Sequence, residues 1–200
     1  MRSRTEVLGG RLGLAPGPPG WLGWLDEMRY SQRAMTAPLP AGKKTPTLSR
    51  VSMHKLMLPE HANAWGKVHG GEIMKLVDEA GGICAMRHAN RPSVTVAMDS
   101  MTFQSPVEVG QVICCDARIN FCGRTAMEVT VRVTAEDPIA GVVTHTNTAQ
   151  LVYVAIDDEG KPTQVPELEL ETDEDQRCWQ QGKQRQEQRR ANRRSGATGL

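Results

Sequence analysis

Nowhere in its 200 residues does the chain run to about 18 consecutive apolar residues, so no transmembrane helix is expected. It also lacks the apolar core of a secretory signal and has no CxxC pair. Its five cysteines, Cys84, Cys114, Cys115, Cys122 and Cys178, are odd in number, and the adjacent pair in a strand would point to opposite faces. This argues against a disulfide framework or a cysteine zinc site, and for small buried hydrophobes in a reducing cytoplasm. Charge of one overall sign is absent too. Against 24 basic residues stand 23 acidic ones, a net +1, with no global pull toward nucleic acid or acidic partners. Seven Lys/Arg do gather between Arg177 and Arg194, but only Trp179 lies among them as an aromatic, so they read as a solvated basic segment and not as a nucleic-acid platform.

What is present falls into three parts. Residues 1–47, with GLAPGPPGWLGW and TAPLPAGKKTPT, are rich in Pro, Gly and Ala and hold no sustained period, so they read as a flexible leader. Arg2, Arg4 and Arg11 hint at a transit peptide, while Glu6, Asp26, Glu27 and the prolines speak against one. Residues 48–165 carry the folded pattern, and residues 166–200 form a charged helix and tail.

Within the folded part, LSRVSMHKLM (48–57) reads as a strand ended by Pro59. GEIMKLVDEAGGICAMRH (71–88) has helical period. On a 100° wheel from Ile73, the residues Leu76, Val77, Ala80, Gly81, Ile83 and Cys84 cluster within about 80° of one line. Gly81 and Gly82 inside that helix cost about 1 kcal/mol each against Ala, which something packing very close would explain. Strands are expected at 93–103, 111–121, 125–137 and 141–156, with turns at Pro106/Gly110, Gly123 and Asp137-Pro138. Along 125–137, Met127, Val129, Val131 and Val133 alternate with Glu128, Thr130, Arg132 and Thr134. Four consecutive strands with short turns predict an antiparallel meander, and one helix wrapped by it makes an α+β unit. From Thr172, a helix N-cap candidate followed by three acids begins a mostly solvated last helix.

Chemistry concentrates before and on the first helix. Glu79, at about 240° on the wheel, pairs with Lys75 at about 200°, and Glu72 at about 260° is an ordinary first-turn acid. Asp78 differs. At about 140° it sits at the border of the apolar stripe, where partial burial suits a carboxylate to base or nucleophile work; a solvated rim aspartate is the plain alternative. His69-Gly70-Gly71 opens the helix, and glycines there let a ligand approach backbone N–H groups at the positive end of the dipole. Asn63, in the loop before, is either an Asx-turn residue or a site residue.

The stretch NAWGKVHGGEIMKLVDEAGG from Asn63 resembles the signature of hotdog-fold acyl-CoA thioesterases, a family that includes bacterial enzymes and the cytosolic acyl-CoA hydrolases of animals. SVTVAMDSMTFQSPVEVGQ (93–111), GRTAMEV (123–129) and VPELELETDEDQR extend the resemblance over about residues 50–190. It implies a single hotdog domain, an antiparallel sheet around one central helix, that hydrolyses fatty acyl-CoA to free fatty acid and coenzyme A in the cytoplasm. Coenzyme A is then part of the substrate, and neither a separate cofactor nor a metal is implied. By the same resemblance Asp78 is the general base or nucleophile, Asn63 reaches the site of a partner protomer, and the Gly71 N–H polarises the thioester carbonyl. Val96, Ala97 and Met98 would flank the pantetheine, Arg124, Thr125, Ala126 and Met127 the nucleotide, and Arg185 or a neighbour would meet the phosphates. Direct chemistry at His69 is not implied. Because the chain has one domain where the animal enzymes have two, a dimer is the minimum assembly, and a trimer of dimers is the form common among relatives. Two rival readings remain open: a hotdog dehydratase, for which His69 and Asp78 are the one plausible pair, and a non-catalytic acyl-CoA sensor or scaffold.

Overall fold

The computed structural model describes residues 42–99 and 101–194, so the leader expected over 1–47 lies outside the described residues as far as residue 41. Strand β1 (Lys43–Lys44) and helix α1 (Pro46–Ser49) lead into β2 (Val51–Leu56). A 3-10 turn at Pro59–His61 follows, then the long helix α2 (Gly70–Ala89). The remaining elements are β3 (Ser93–Met98), β4 (Val112–Cys122), β5 (Ala126–Asp137), β6 (Val142–Ala155), β7 (Glu167–Leu168) and α3 (Asp173–Arg194).

The wheel stripe is what α2 buries. Ile73, Leu76, Val77, Ala80, Gly81 and Cys84 are all buried, as are Val129, Val131 and Val133 of β5 on the sheet face that receives them. A helix with one apolar stripe and a strand with period-two alternation each have one face to hide, and each hides it against the other. Five strands form an antiparallel sheet in the order β2-β4-β5-β6-β3 around α2, the expected α+β hotdog arrangement. Cys84 and Cys115 are fully buried, and burial pushes both thiols up to about 12, so they pack as neutral apolar groups.

Three local expectations change. The run 48–57 is not one strand, because Pro46 starts a helical turn through Ser49 and the strand begins at Val51. The meander has three strands, not four. β3 stops at Met98 and pairs with β6 at the far edge instead of with β4. The connection 99–111 needs to cross only three strand spacings, about 14 Å, a short reach for that many residues. Third, the fold reaches into the residues assigned to the leader. Lys43–Lys44 pair in parallel with Glu167–Leu168, and Lys44 Nζ donates to the carbonyls of Arg87 and His88 at 2.7 and 3.1 Å, placing a cation on the negative end of α2.

Helix α3 is less free than its composition suggests. Its start is capped as the sequence predicts: the Asp175 N–H donates to Thr172 Oγ1 at 3.1 Å, and Asp175 Oδ2 accepts from the Thr172 N–H at 2.9 Å. Further along, Gly182 lies so close to Phe121 and Glu128 that any side chain there would collide. Glu128, 1% exposed, accepts from Arg185 at 2.6 and 3.1 Å and from Arg189 at 2.6 Å. The outer face of β5 is thus polar and covered at Glu128, whose deeply buried carboxylate is neutralised by two guanidiniums, while Arg132 on the same face stays exposed.

His88 is fully buried where α1, α2, β4 and the segment before β7 meet. The carbonyl of Pro166, 3.2 Å from Nε2, can only accept, so Nε2 carries the proton and Nδ1 accepts from Ser49 Oγ at 3.0 Å. Burial, helped by the Lys44 charge and opposed by the bond to Pro166, holds this imidazole below the ordinary histidine range. Folded His88 therefore binds fewer protons than unfolded His88: its contribution is complete above about pH 6.5 and is lost as pH falls below that. Denaturant unfolding between pH 7 and pH 5 should lose up to about 1.4 kcal/mol per unit more in the wild type than in His88→Gln. Equal slopes in the two proteins would show that His88 is not the titrating group.

Candidate active site

The approach to α2 is fixed by two side chains that bond backward to the main chain. Asn63 Oδ1 accepts from the N–H groups of Trp65 at 2.9 Å and Lys67 at 3.2 Å, an Asx turn that leaves its Nδ2 without a hydrogen bond among the described residues. His69 is the N-cap of α2, and its Nδ1 accepts from the Gly71 N–H at 2.9 Å. The N–H that the family resemblance would give to a thioester oxygen is therefore held by an imidazole here. Gly70 faces the Phe103 ring, 3.5 Å from where a Cβ would stand. Phe103, Val68, Ile73, Pro106 and Val107 give an open cleft of about 450 Å³ its apolar wall, with Asn63 and Gly70 on the same rim.

Two turns further along α2, Asp78 is half-buried at the sheet side of the helix. Thr95 Oγ1 donates to its Oδ1 at 2.6 Å, and the Tyr153 hydroxyl lies 3.3 Å from the same oxygen and 3.0 Å from the Asp78 carbonyl. Thr95 and Tyr153 are cross-strand partners on β3 and β6, and β3 bulges at Val96 directly after Thr95. Such a bulge re-aims side chains at an edge. Tyr153 is 1% exposed, and burial first, then the charge of Asp78, push its phenol far up, so it is a permanent donor. Its ring fills the notch made by Gly81: a Cβ there would lie 3.0 Å from Cζ and 3.1 Å from Cε2. At Gly82 the nearest ring atom would be 3.7 Å away, an ordinary contact.

The other assigned residues fall into two groups. Val96, Ala97 and Met98 lie on edge strand β3, with Val96 45% and Met98 36% exposed, just past the Thr95 position. The turn of Arg124 and Thr125 leads into Ala126, which shares Val154 of β6 with Val94 of β3, so it flanks the same end of the sheet. Met127, across from Tyr153, is fully buried in the core and offers no side-chain surface to a ligand. Arg185 is on the opposite, outer face, committed to Glu128. Within one protomer Asn63 bonds its own turn while Asp78 bonds Thr95 and Tyr153, and His69 caps the helix without touching Asp78. Among the described residues His69 and Asp78 share no hydrogen bond, so they form no dehydratase-like dyad. Glu79 stands 4.0 Å from Lys75, as its place on the wheel predicts. Among the described residues no cluster of His, Cys, Asp or Glu is arranged to hold a metal, and no helix is long and apolar enough to cross a membrane.

The thioesterase superfamily model matches residues 66–142. A structure of an apo-hexameric acyl-CoA thioesterase superposes with a TM-score of 0.72 at 34% identity, covering 76% of this chain and 97% of that one. An acyl-CoA hydrolase from Staphylococcus aureus, solved with butyryl coenzyme A, coenzyme A and coenzyme A disulfide, gives 0.71 at 30% identity over 77% and 94%. The same S. aureus enzyme has been solved as three alanine variants: of an aspartate, of an asparagine 15 residues before it, and of a threonine 17 residues after it. The rat cytosolic acyl coenzyme A thioester hydrolase is 34% identical over 74% of this chain, which spans 40% of that enzyme's length. The chain belongs to the thioesterase superfamily, among the acyl-CoA thioester hydrolases.

Thr95 and Tyr153 are what sequence reasoning missed. Thr95 reads as one more strand threonine and Tyr153 as a core aromatic, and only the pair of glycines at 81–82 signalled that a bulky group comes close. Those glycines should behave differently. Gly81→Ala forces the Tyr153 ring to move and should destabilise by about 1–3 kcal/mol, while Gly82→Ala should be neutral or gain up to about 1 kcal/mol of helix propensity. Urea unfolding of the two variants checks this, and equal stabilities would refute the packing argument.

Proposed function

We propose that the protein hydrolyses fatty acyl-CoA to a free fatty acid and coenzyme A in the cytoplasm, as a homo-oligomer whose protomers complete one another's sites. The observation that carries this reading is a spacing. Asn63, Asp78 and Thr95 stand 15 and 17 residues apart, the separations of the three positions replaced in the S. aureus enzyme. Two of the three already meet within a protomer, through the bond from Thr95 to Asp78 Oδ1.

Chemically, Asp78 takes a proton from water as the water oxygen bonds to the thioester carbon. The C–S bond then breaks, and the coenzyme A sulfur leaves as a thiolate that receives the proton. The Gly71 N–H stabilises the oxyanion of that tetrahedral stage once His69 turns away from it. Gly71 is about 10 Å along the helix from Asp78, so the substrate lies along the flank of α2. Pantetheine would pass along Val96, Ala97 and Met98 toward Arg124 and Thr125. Arg185 reaches phosphates only if it gives up Glu128.

Asn63 is the residue that needs a second protomer. Its own turn holds Oδ1, and Nδ2 is left as a donor that bonds nothing among the described residues. Edge strand β3, with Val94, Val96 and Met98 exposed by 44%, 45% and 36%, is an apolar edge that a second copy would cover. A trimer of such dimers is the assembly we propose.

Asp78→Asn should lower turnover of acyl-CoA by about 10²- to 10⁴-fold in a thiol-trapping assay. Asn63→Ala and Asp78→Asn, each impaired alone, should regain activity when unfolded together and reassembled, because a mixed dimer holds one intact site. Failure of the mixture to gain activity over the separate proteins would place Asn63 and Asp78 in the same protomer.

A further inference from the structure

We propose that Tyr153 is a positioning residue which, together with Thr95, commits Asp78 Oδ1 and leaves Oδ2 as the oxygen that faces the substrate. The inference rests on the reading of Asp78 as the catalytic carboxylate, and it assigns a role to a residue outside the Asn63, Asp78 and Thr95 set.

Three observations support it. First, the two donors approach one oxygen from two strands: Thr95 Oγ1 at 2.6 Å and the Tyr153 hydroxyl at 3.3 Å from Oδ1. No hydrogen bond to Oδ2 is formed among the described residues. A carboxylate with one oxygen held twice has one preferred rotamer, and its second oxygen is directed by the first. Second, the same hydroxyl lies 3.0 Å from the Asp78 main-chain carbonyl, so it fixes the side chain relative to its own helix. A carbonyl can only accept, so the phenol proton is shared between two acceptors on one residue. Third, the sequence gives up a helix side chain to admit the ring, since Gly81 is where a Cβ would stand 3.0 Å from Tyr153 Cζ. That costs about 1 kcal/mol of helix propensity. The atom nearest that Cβ position is the Tyr153 hydroxyl oxygen, ahead of the ring carbons, so the notch admits the hydroxyl as well as the ring, and the bonds to Asp78 give the hydroxyl its use.

The alternative chemical role, proton donation to the leaving sulfur, does not fit the surroundings. Tyr153 is 1% exposed, its proton points at Asp78, and burial together with that carboxylate keeps the phenol protonated. It holds a group in place and does not exchange its proton with the substrate.

The experiment compares wild type, Tyr153→Phe and Asp78→Asn as full chains in steady-state hydrolysis of one acyl-CoA, with thermal melting of each. Loss of a hydrogen bond to a charged group predicts a kcat about 10- to 100-fold lower for Tyr153→Phe. KM should stay within about two-fold, because substrate binding is untouched and only the attack is misaligned. Replacing Tyr153 by para-aminophenylalanine, which keeps a donor at the same place, should restore most of that loss. A purely packing role predicts instead no loss with Phe and no rescue. Should Tyr153→Phe fold poorly, para-methylphenylalanine at this position, which fills the place of the hydroxyl without a donor, decides beside the para-amino variant: low turnover in the methyl variant alone supports positioning, and equal turnover in both overturns it. Full kcat in Tyr153→Phe beside an inactive Asp78→Asn overturns the positioning role and leaves the function standing. Absence of hydrolysis by the wild type overturns the function itself.

Discussion

One contact organises the molecule: the ring of Tyr153 lying in the notch that Gly81 opens in α2. A sheet can wrap a helix this closely only where the helix has no side chain, and here the closest point falls one turn from the half-buried carboxylate. The same tyrosine that closes the core therefore delivers its hydroxyl to Asp78, and its strand neighbour Thr95 delivers a second donor from the sheet edge. Packing and site geometry are one arrangement here. Loosening the core at this point would release the carboxylate, so the candidate site rests on a buried aromatic and a helix and not on a loop.

The sequence was most readable where one physical rule acts alone. A stripe of Ile73, Leu76, Val77, Ala80 and Cys84 can be nothing but the buried side of a helix, and the same wheel separates Asp78 from Glu72 and Glu79. Alternation along β5 correctly placed Glu128 opposite Val129 and Val131. It did not tell that Glu128 on the opposite face is covered, because the cover, α3, is polar and arrives from far along the chain. A helix that docks through Arg185, Arg189 and a bare Gly182 carries no apolar stripe to announce itself. Strand order was hidden for a similar reason. Local turns predict that neighbours in sequence pair, whereas β3 is separated from β4 by a connection long enough to pass the end of the sheet. Thr95 escaped notice because its importance comes from a register bulge, which depends on the partner strand and not on local pattern.

The two ends of the site differ in readiness. Around Asp78 the donors are in place. At the start of α2 the Gly71 N–H is bound to His69, and Asn63 bonds its own turn. An N-terminus whose amide is already satisfied is stable without ligand, and under the proposed function a ligand oxygen would replace the imidazole there. On this account one half of each site is built by the core of a protomer, and the other half is completed by substrate and a second copy.

That division is open to direct observation. A structure of the assembled Asp78→Asn protein with butyryl coenzyme A should place the thioester against residue 78 of one protomer. The Asn63 amide of another protomer should lie within hydrogen-bond distance of the same thioester, with Thr95 and Tyr153 still on the first oxygen of residue 78. A thioester bound by residues 63 and 78 of a single protomer, or bound away from residue 78 altogether, would contradict the account.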